Sequence, residues 1–209
     1  GHEQPRLRLL LVRHAQSANK RRQRGEEAAK DPGLSDLGHG QAASLANRLL
    51  GVLSERKVDK RSGLLVVCSP MLRCLLTIQP AMNRLRLPGG CCLCHGGCYE
   101  YGCAGTAYAG TSQEEITARF PDFQPVGFSA DGHWDYRGNS PKEVDSEFVA
   151  RGARFLKWLR REATSRLRAN NSVVPTVVLV THQTFGDFLC QLLLDGTDEH
   201  WEYGTLKHR

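Results

Sequence analysis

The sequence contains no long apolar run. No stretch approaches the roughly 18 consecutive apolar residues of a membrane-spanning helix, and the opening "GHEQPRLR" lacks the apolar core of a secretory signal peptide. Internal repeats and low-complexity tracts are also lacking. These absences predict a soluble, cytoplasmic protein that does not interact with a membrane.

Metal-binding signatures are scarce as well. Five of the eight cysteines lie with His95 in "CCLCHGGCYEYGC", residues 91–103, but this stretch does not repeat the C-x2-C pair of a structural zinc site. A disulfide framework is not expected in a chain of this length. We favour small apolar cysteines packed as free thiols and keep zinc as the alternative. No cofactor is expected.

The charge balance is basic, with a net charge of +6 and a pI near 9.0. Such a balance suits nucleic acid, an anionic surface or a small anionic substrate. The two dense basic groups, residues 20–24 and 160–168, have no interleaved aromatic residues and match no nucleic-acid module. We therefore expect no nucleic-acid partner.

The composition is that of an ordinary globular protein, with 40% hydrophobic and 24% charged residues in 209. Short apolar runs predict buried strands at residues 7–12, 64–68 and 176–180. Apolar stripes predict helices around residues 42–53, 144–167 and 185–194. Another helix should begin at Ser69 and Pro70 and end or kink at Pro80. The alternation predicts an α/β fold, a three-layer α/β/α sandwich with a mostly parallel central sheet.

Residues 102–141 differ from the rest because they are rich in glycine, proline and aromatic residues. We interpret them as a short cap inserted over one edge of the sheet, with a helix near residues 112–120. The length of the chain favours one domain over residues 1–209 that includes this insertion.

Polar side chains follow each of the three apolar runs. Arg13 and His14 follow the first, a segment ending in Arg73 follows the second, and His182 follows the third. Ligands of such folds bind at the carboxyl ends of the strands, so two histidines and two arginines should meet there. Arginine offers a planar fork of donors to phosphate oxygens, and a helix N-terminus adds positive potential. The pattern therefore indicates a site for a dianion.

These residue types also suit phosphoryl transfer. A neutral imidazole can attack phosphorus and form a phosphohistidine, while nearby cations stabilise the charge on the phosphoryl oxygens. An acid must protonate the leaving oxygen. Glu100 in "CYEYG" is our candidate because it precedes the cap, and Glu114 or Glu115 is the alternative.

Four segments carry a family resemblance: "LVRHA", "SPMLR", "YEYG" and "VTHQ", together with "DPGLSDLGHGQA". In order and spacing they resemble the histidine phosphatase superfamily, the phosphoglycerate mutase-like group, over nearly the whole chain. The resemblance implies that His14 accepts phosphate and that Arg13, Arg73 and His182 complete the pocket. It implies that Glu100 acts as acid and then as the base that activates water, and that no metal takes part.

Three positions depart from the pattern of this family. Ala15 replaces the usual glycine after the first histidine, and Gln183 replaces the second glycine but still offers a backbone N–H to phosphate. Lys20 stands where the family often has asparagine, with Asn19 one residue early. We expect Lys20 to contact phosphate as a mobile point charge. The alternative is that this loop does not bind phosphate.

The resemblance implies a metal-independent histidine acid phosphatase-type phosphomonoesterase, acting on a small-molecule phosphate ester or a phosphoprotein. Mutases of this family carry a long basic insert after the glutamate, whereas the expected cap has about 40 residues and few cations. A mutase-like phosphotransferase therefore ranks second. A catalytically silent module that binds phosphorylated ligands or a partner is the third reading. We keep a homodimer as a possible assembly. Members of the family usually have another strand beyond the point where this chain stops.

Overall fold

A six-stranded parallel sheet forms the central layer of this computed structural model, which describes residues 7–21, 28–88, 90–106, 110–167, 174–195 and 201–206. The strands are β1 (Leu7–Arg13), β2 (Leu64–Cys68), β3 (Cys92–His95), β4 (Gln124–Val126), β5 (Thr176–Thr181) and β6 (Trp201–Leu206). Their order across the sheet is β4-β3-β2-β5-β1-β6, and every neighbouring pair is parallel. The order places β2, β5 and β1 side by side near the middle.

Helices cover both faces of this sheet. They are α1 (Asp36–Glu55), α2 (Leu72–Leu85), α3 (Gln113–Arg119), α4 (Asp145–Arg166) and α5 (Gln183–Asp195). Successive strand side chains point to opposite faces. Leu10 and Val12 therefore join the core under α1, α2 and α3, whereas Leu9 and Leu11 join the core under α4 and α5. The predicted three-layer α/β/α sandwich is confirmed.

Two helices begin at recognisable capping residues. The Ser35 hydroxyl accepts a hydrogen bond from the Gly38 N–H, 3.1 Å away, at the start of α1. At the start of α3, Ser112 and Glu115 form a capping box in which each side chain accepts the backbone N–H of the other. Both helices lie where the sequence predicts them.

The start of α2 differs from the prediction. Ser69 does not cap this helix, because α2 begins at Leu72 and its N-cap, Met71, makes no side-chain cap bond. The carboxylate of Asp31, from another segment, instead accepts the Leu72 N–H over 3.0 Å. Pro80 does not end the helix either. The apolar face of α2 stays buried on both sides of Pro80, and this packing outweighs the loss of one backbone donor.

The segment predicted as a cap contributes to the sheet itself. Residues 102–141 contain α3 and also β4, which pairs in parallel with β3 at the sheet edge. The sequence analysis did not predict this strand, and it did not predict β6, which pairs with β1 at the other edge. The limits of the insertion and the assignment of residues 1–209 to one domain remain predictions.

The cysteines pack as free thiols. Cys92, Cys94 and Cys98 are buried in the two cores, and burial raises the pKa of the Cys92 thiol to about 12. Across the described ranges, no group of three or more His, Cys, Asp or Glu side chains is arranged to hold a metal ion. Of the helices within the same ranges, none is long and apolar enough to cross a membrane.

Candidate active site

Three neighbouring strands end at the same edge of the sheet and bring the candidate residues together. Arg13 at the end of β1 pairs in register with Thr181 of β5, and the His14 N–H donates to the Thr181 carbonyl over 2.9 Å. On the other side of β5, the Ser69 N–H donates to the Val180 carbonyl over 2.9 Å. The residues that follow β1, β2 and β5 therefore surround one point.

The two imidazoles of the site face each other. The ring centroids of His14 and His182 lie 5.2 Å apart, with 57° between the ring planes. Nδ1 of the half-buried His14 lies 2.7 Å from the Ala15 carbonyl oxygen, and because that oxygen can only accept, Nδ1 carries the proton. In the neutral ring, Nε2 then holds the lone pair with which an imidazole can attack.

His182 is held as a neutral ring. Its side chain is buried, Arg73 Nη2 donates to its Nδ1 over 3.1 Å, and its Nε2 lies 2.8 Å from the Ser69 hydroxyl. Since arginine only donates, Nδ1 accepts and Nε2 carries the proton. Burial is the largest cause that lowers the pKa of His182 well below its ordinary value, and the neighbouring charges of Arg73 and His14 lower it further.

The two arginines occupy different environments. Arg73 is buried in the first turn of α2, whereas Arg13 is exposed where β1 ends. The charge of Arg13 is also among the causes that lower the pKa of His182, after burial and the charges of Arg73, His14 and Arg151. Two guanidiniums and the positive end of α2 thus face one edge, an arrangement suited to a dianion.

Glu100 lies beside the helix that follows His182. Its carboxylate accepts backbone N–H groups of Thr184 over 3.3 Å and of Phe185 over 3.1 Å, both in the first turn of α5. The Gln183 N–H precedes these two and has no acceptor within the helix. The structure thus brings Glu100 and Gln183 next to His182, as the sequence predicts, while their roles remain predictions.

The segment after His14 fits its prediction less closely. Lys20 lies in a 3-10 turn (Ala18–Arg21) and its side chain is exposed, so a phosphate contact through Lys20 remains a prediction. Asn19 does not substitute for the asparagine of the family pattern. Its amide instead donates to the Ala29 carbonyl over 2.9 Å and accepts the Ala29 N–H over 3.2 Å. Arg22 and Arg24 lie outside the described residues.

Two polar residues of the site were not predicted as part of it. The Thr77 hydroxyl accepts the Ala15 N–H over 2.9 Å and donates to the Arg73 carbonyl over 2.6 Å. Both hydrogen bonds are buried. Ser69, predicted only as a helix cap, instead orients His182 through the hydrogen bond to Nε2. A threonine one turn after Arg73 on an apolar helix face was the available signal for Thr77.

Comparison with known proteins adds a family match over most of the chain. A family model described as the histidine phosphatase superfamily, branch 1, matches residues 9–208. The matched range includes every candidate residue named above. No curated protein sequence matches the chain.

Several solved structures have a similar fold. Ecdysone phosphate phosphatase from Bombyx mori, in complex with tungstate, aligns with a TM-score of 0.57 at 15% identity, over 95% of this chain and 82% of that one. A mycobacterial glucosyl-3-phosphoglycerate phosphatase aligns with a TM-score of 0.52 at 25% identity, over 88% of this chain and 78% of that one. Mycobacterial hydrolase 1 aligns with a TM-score of 0.53 at 23% identity, over 88% of this chain and 79% of that one. These likenesses agree with the α/β architecture described above.

Proposed function

Because the chain belongs to the histidine phosphatase superfamily, branch 1, we propose that it hydrolyses phosphomonoesters through a phosphohistidine on His14. The observation that carries this proposal is the pair of facing imidazoles. His14 is held in the tautomer that leaves Nε2 for attack, and His182 is held neutral by burial and by the hydrogen bond from Arg73.

The first chemical step transfers the phosphoryl group to the protein. His14 Nε2 forms a bond to phosphorus as the ester P–O bond breaks, and Glu100 gives its proton to the leaving oxygen. Arg13 and Arg73 offset charge on the phosphoryl oxygens. His182 completes the pocket beside them, where its Nδ1 accepts from Arg73 and its Nε2–H donates to Ser69. The Gln183 N–H and the Lys20 ammonium supply further donors.

The second step regenerates the protein. Glu100, now a carboxylate, takes a proton from water as the water oxygen attacks the phosphohistidine. The N–P bond breaks, inorganic phosphate leaves and His14 returns to its neutral form. Every proton is accounted for by Glu100 and water, so the cycle is complete with the side chains of this chain.

A cavity whose lining includes Asp31, a neighbour of Arg73, has room for the alcohol part of a substrate. It has a volume of about 830 Å³, and its lining includes Lys30, Asp31, Thr111 and His133. Asp31 connects it with the phosphate ligands, because its carboxylate accepts the N–H of Leu72, the residue before Arg73. We propose that a small polar phosphate ester binds with its alcohol part in this cavity; a phosphoprotein is the alternative.

Phosphate trapping tests the proposal. The protein is mixed with 4-nitrophenyl phosphate, quenched within milliseconds under alkaline conditions and digested for mass spectrometry. We expect phosphate on His14 in the wild type and neither phosphate nor hydrolysis in His14→Ala. His39→Ala, which removes an exposed histidine of α1, is the matched control and should behave like the wild type.

Each other outcome points to a different function. Phosphate on another residue, or full activity in His14→Ala, would overturn the assignment of the nucleophile. Phosphohistidine that passes its phosphoryl group to a second metabolite rather than to water would indicate the mutase-like phosphotransferase. No phosphate on His14 with any of a broad panel of phosphomonoesters, despite measurable binding, would indicate the silent binding module.

A further inference from the structure

Glu100 is carried by a short loop, residues 97–102, which we call the Glu100 loop. One side of this loop faces α5, where the Glu100 carboxylate accepts the N–H groups of Thr184 and Phe185. These bonds fix where the carboxylate lies only if the backbone of the loop is itself fixed. The contacts on the other side of the loop therefore bear on the position of Glu100.

A buried ion pair lies on that other side. Arg151 of α4 donates through Nε to Glu143 Oε1 over 2.7 Å and through Nη2 to Oε2 over 2.8 Å. Only 2% of Arg151 and 4% of Glu143 are exposed, so the fork-to-fork pair is shielded from water.

Both members of this pair also bind the backbone of the Glu100 loop. Arg151 Nη1 donates to the carbonyls of Gly97 over 2.8 Å and Tyr99 over 3.0 Å, and Glu143 Oε2 accepts the Gly102 N–H over 3.3 Å. The three bonded groups lie on both sides of Glu100 in the sequence. The loop is therefore tied down before and after the carboxylate-bearing residue.

Aromatic contacts hold the pair rigidly. The Arg151 guanidinium lies 3.7 Å from the centroid of the Tyr99 ring, and that ring stacks on Trp134 at 5.5 Å. The Tyr99 hydroxyl donates to Glu143 Oε1 over 3.4 Å. The cation, the loop residue and the carboxylate thus form one closed set of contacts.

Stability alone does not account for such a pair. The desolvation of two charges offsets most of their attraction, and well-packed apolar residues of similar volume often replace a buried pair at no loss of stability. An ion pair that binds three backbone groups around a single glutamate does supply something that apolar side chains lack, namely directional bonds to that loop.

We propose that Arg151 and Glu143 are positioning residues that hold the Glu100 loop, and thereby the Glu100 carboxyl, in place for proton transfer to the leaving group. The proposal rests on the acid role proposed for Glu100. It assigns the pair no contact with substrate.

The main test replaces the pair with apolar residues, Arg151→Met with Glu143→Leu, in the full chain. The matched control removes a partly exposed ion pair of the same helix, with Arg166→Met and Glu162→Leu. Glu100→Gln serves as the reference for loss of the acid itself. Circular dichroism and thermal melting establish that each variant is folded.

The first readout is independent of activity. Hydrogen exchange of the Thr184 and Phe185 amides, followed by NMR, reports whether the Glu100 carboxylate still covers them. We expect both amides to exchange about 10-fold faster or more in the apolar double variant and at the wild-type rate in the control. In Glu100→Gln, whose side chain keeps one acceptor oxygen, at least one of the two amides should exchange faster. Wild-type exchange in the folded double variant would overturn the proposal.

The second readout is the dependence on the leaving group. A misplaced acid harms esters that need protonation, such as glycerol 2-phosphate, more than 4-nitrophenyl phosphate, whose leaving group needs little help. We expect the ratio of kcat/KM for the activated ester to that for the alkyl ester to rise about 10- to 100-fold in the double variant. Equal losses for both esters would indicate a merely structural role and overturn the proposal.

The reference variants separate this proposal from the one on which it rests. If Glu100→Gln leaves the ratio unchanged, Glu100 is not the acid and the positioning role falls with it. If Glu100→Gln raises the ratio and the folded double variant does not, only the positioning role falls. Should the double variant fail to fold, Glu143→Gln takes its place, because it keeps the size of the side chain but only one acceptor oxygen. The amide exchange rates and the ratio of kcat/KM values should then both rise, as expected for the double variant.

Discussion

The buried hydroxyl of Thr77 connects the two segments that carry the proposed phosphate ligands. It accepts the N–H of Ala15, next to His14, and donates to the carbonyl of Arg73 one turn earlier in α2. With 1% of the residue exposed, no water can take over either bond. The hydroxyl thus fixes the backbone next to His14 relative to the helix that carries Arg73.

Thr77→Val keeps the shape of the side chain and removes the hydroxyl. The Ala15 N–H would then be buried without an acceptor, so we expect the free energy of unfolding, measured in urea, to fall by about 1–3 kcal/mol. The rate of phosphohistidine formation should fall too, because the His14 backbone loses an anchor. Thr77→Ser, which keeps the hydroxyl, is the control. A valine variant with wild-type stability and rate would show that this hydrogen bond does not hold His14.

The sequence pointed to the polar residues that follow the strands, among them Arg73 and Gln183 at the starts of helices, but not to Thr77 and Arg151 farther along their helices. Arg13, His14 and His182 interrupt apolar runs, so their positions alone predict where they meet. Thr77 and Arg151 lie on the buried faces of α2 and α4, where most of the other buried residues are apolar. Their partners come from distant segments, and one sequence does not show which backbone groups need a donor or an acceptor.

Among the elements, the three neighbouring strands β1, β2 and β5 were predicted to within one residue, whereas the edge strands β4 and β6 were not predicted. β1, β2 and β5 are buried on both faces, and continuous apolar runs are the result. β4 has three residues, exposed or half-buried, and its pattern does not differ from that of a loop. Its position depends on pairing with β3, which is a tertiary contact rather than a local preference.

Two of the three glycines in helix α1, Gly38 and Gly40, look equivalent in the sequence but have different surroundings in the structure. A Cβ atom on Gly38 would lie 2.2 Å from the carbonyl oxygen of Gln16, two residues after His14, whereas a Cβ on Gly40 would meet nothing within 4 Å. Gly38 therefore allows the helix to pack closely on the His14 segment. Gly40 has no such role.

We expect Gly38→Ala and Gly40→Ala to shift stability in opposite directions. Alanine is favoured over glycine inside a helix by about 0.8–1.0 kcal/mol, so Gly40→Ala should raise the melting temperature and leave activity unchanged. Gly38→Ala should lower the melting temperature and slow phosphohistidine formation, because the backbone at Gln16 must move. Similar thermal shifts in both variants would contradict the close approach at Gly38.

At the scale of the whole molecule, the parallel sheet separates two edges. The carboxyl ends of the strands carry the proposed phosphate ligands, while exposed cations that precede β2 lie near the opposite edge: Arg56, Lys60 and Arg61. A strand of five to seven residues spans about 16–23 Å, which exceeds the screening length of about 10 Å at 0.1 M salt. Charges at the two edges should therefore affect an anionic substrate unequally.

The basic segment after His14 supplies the test of this asymmetry. Arg21, Arg22 and Arg24 follow His14 by seven to ten residues in the sequence, and we predict that this basic segment borders the edge that carries His14. We expect replacement of all three by serine to raise KM several-fold for an ester with a second phosphate and to spare a simple monoester. The matched control makes the same charge change at the opposite edge, with serine at positions 56, 60 and 61.

The location of the charge, rather than its total, distinguishes the possible results. Both triple variants lower the net charge from +6 to +3, so a general loss of attraction would affect them equally. A loop that selects multiply charged esters should show its effect in the first variant alone, and the wild-type preference should fade as salt is raised toward 0.5 M, where charges screen each other over a few ångströms. Equal KM values in the two variants at low salt would leave the loop as a solvated turn.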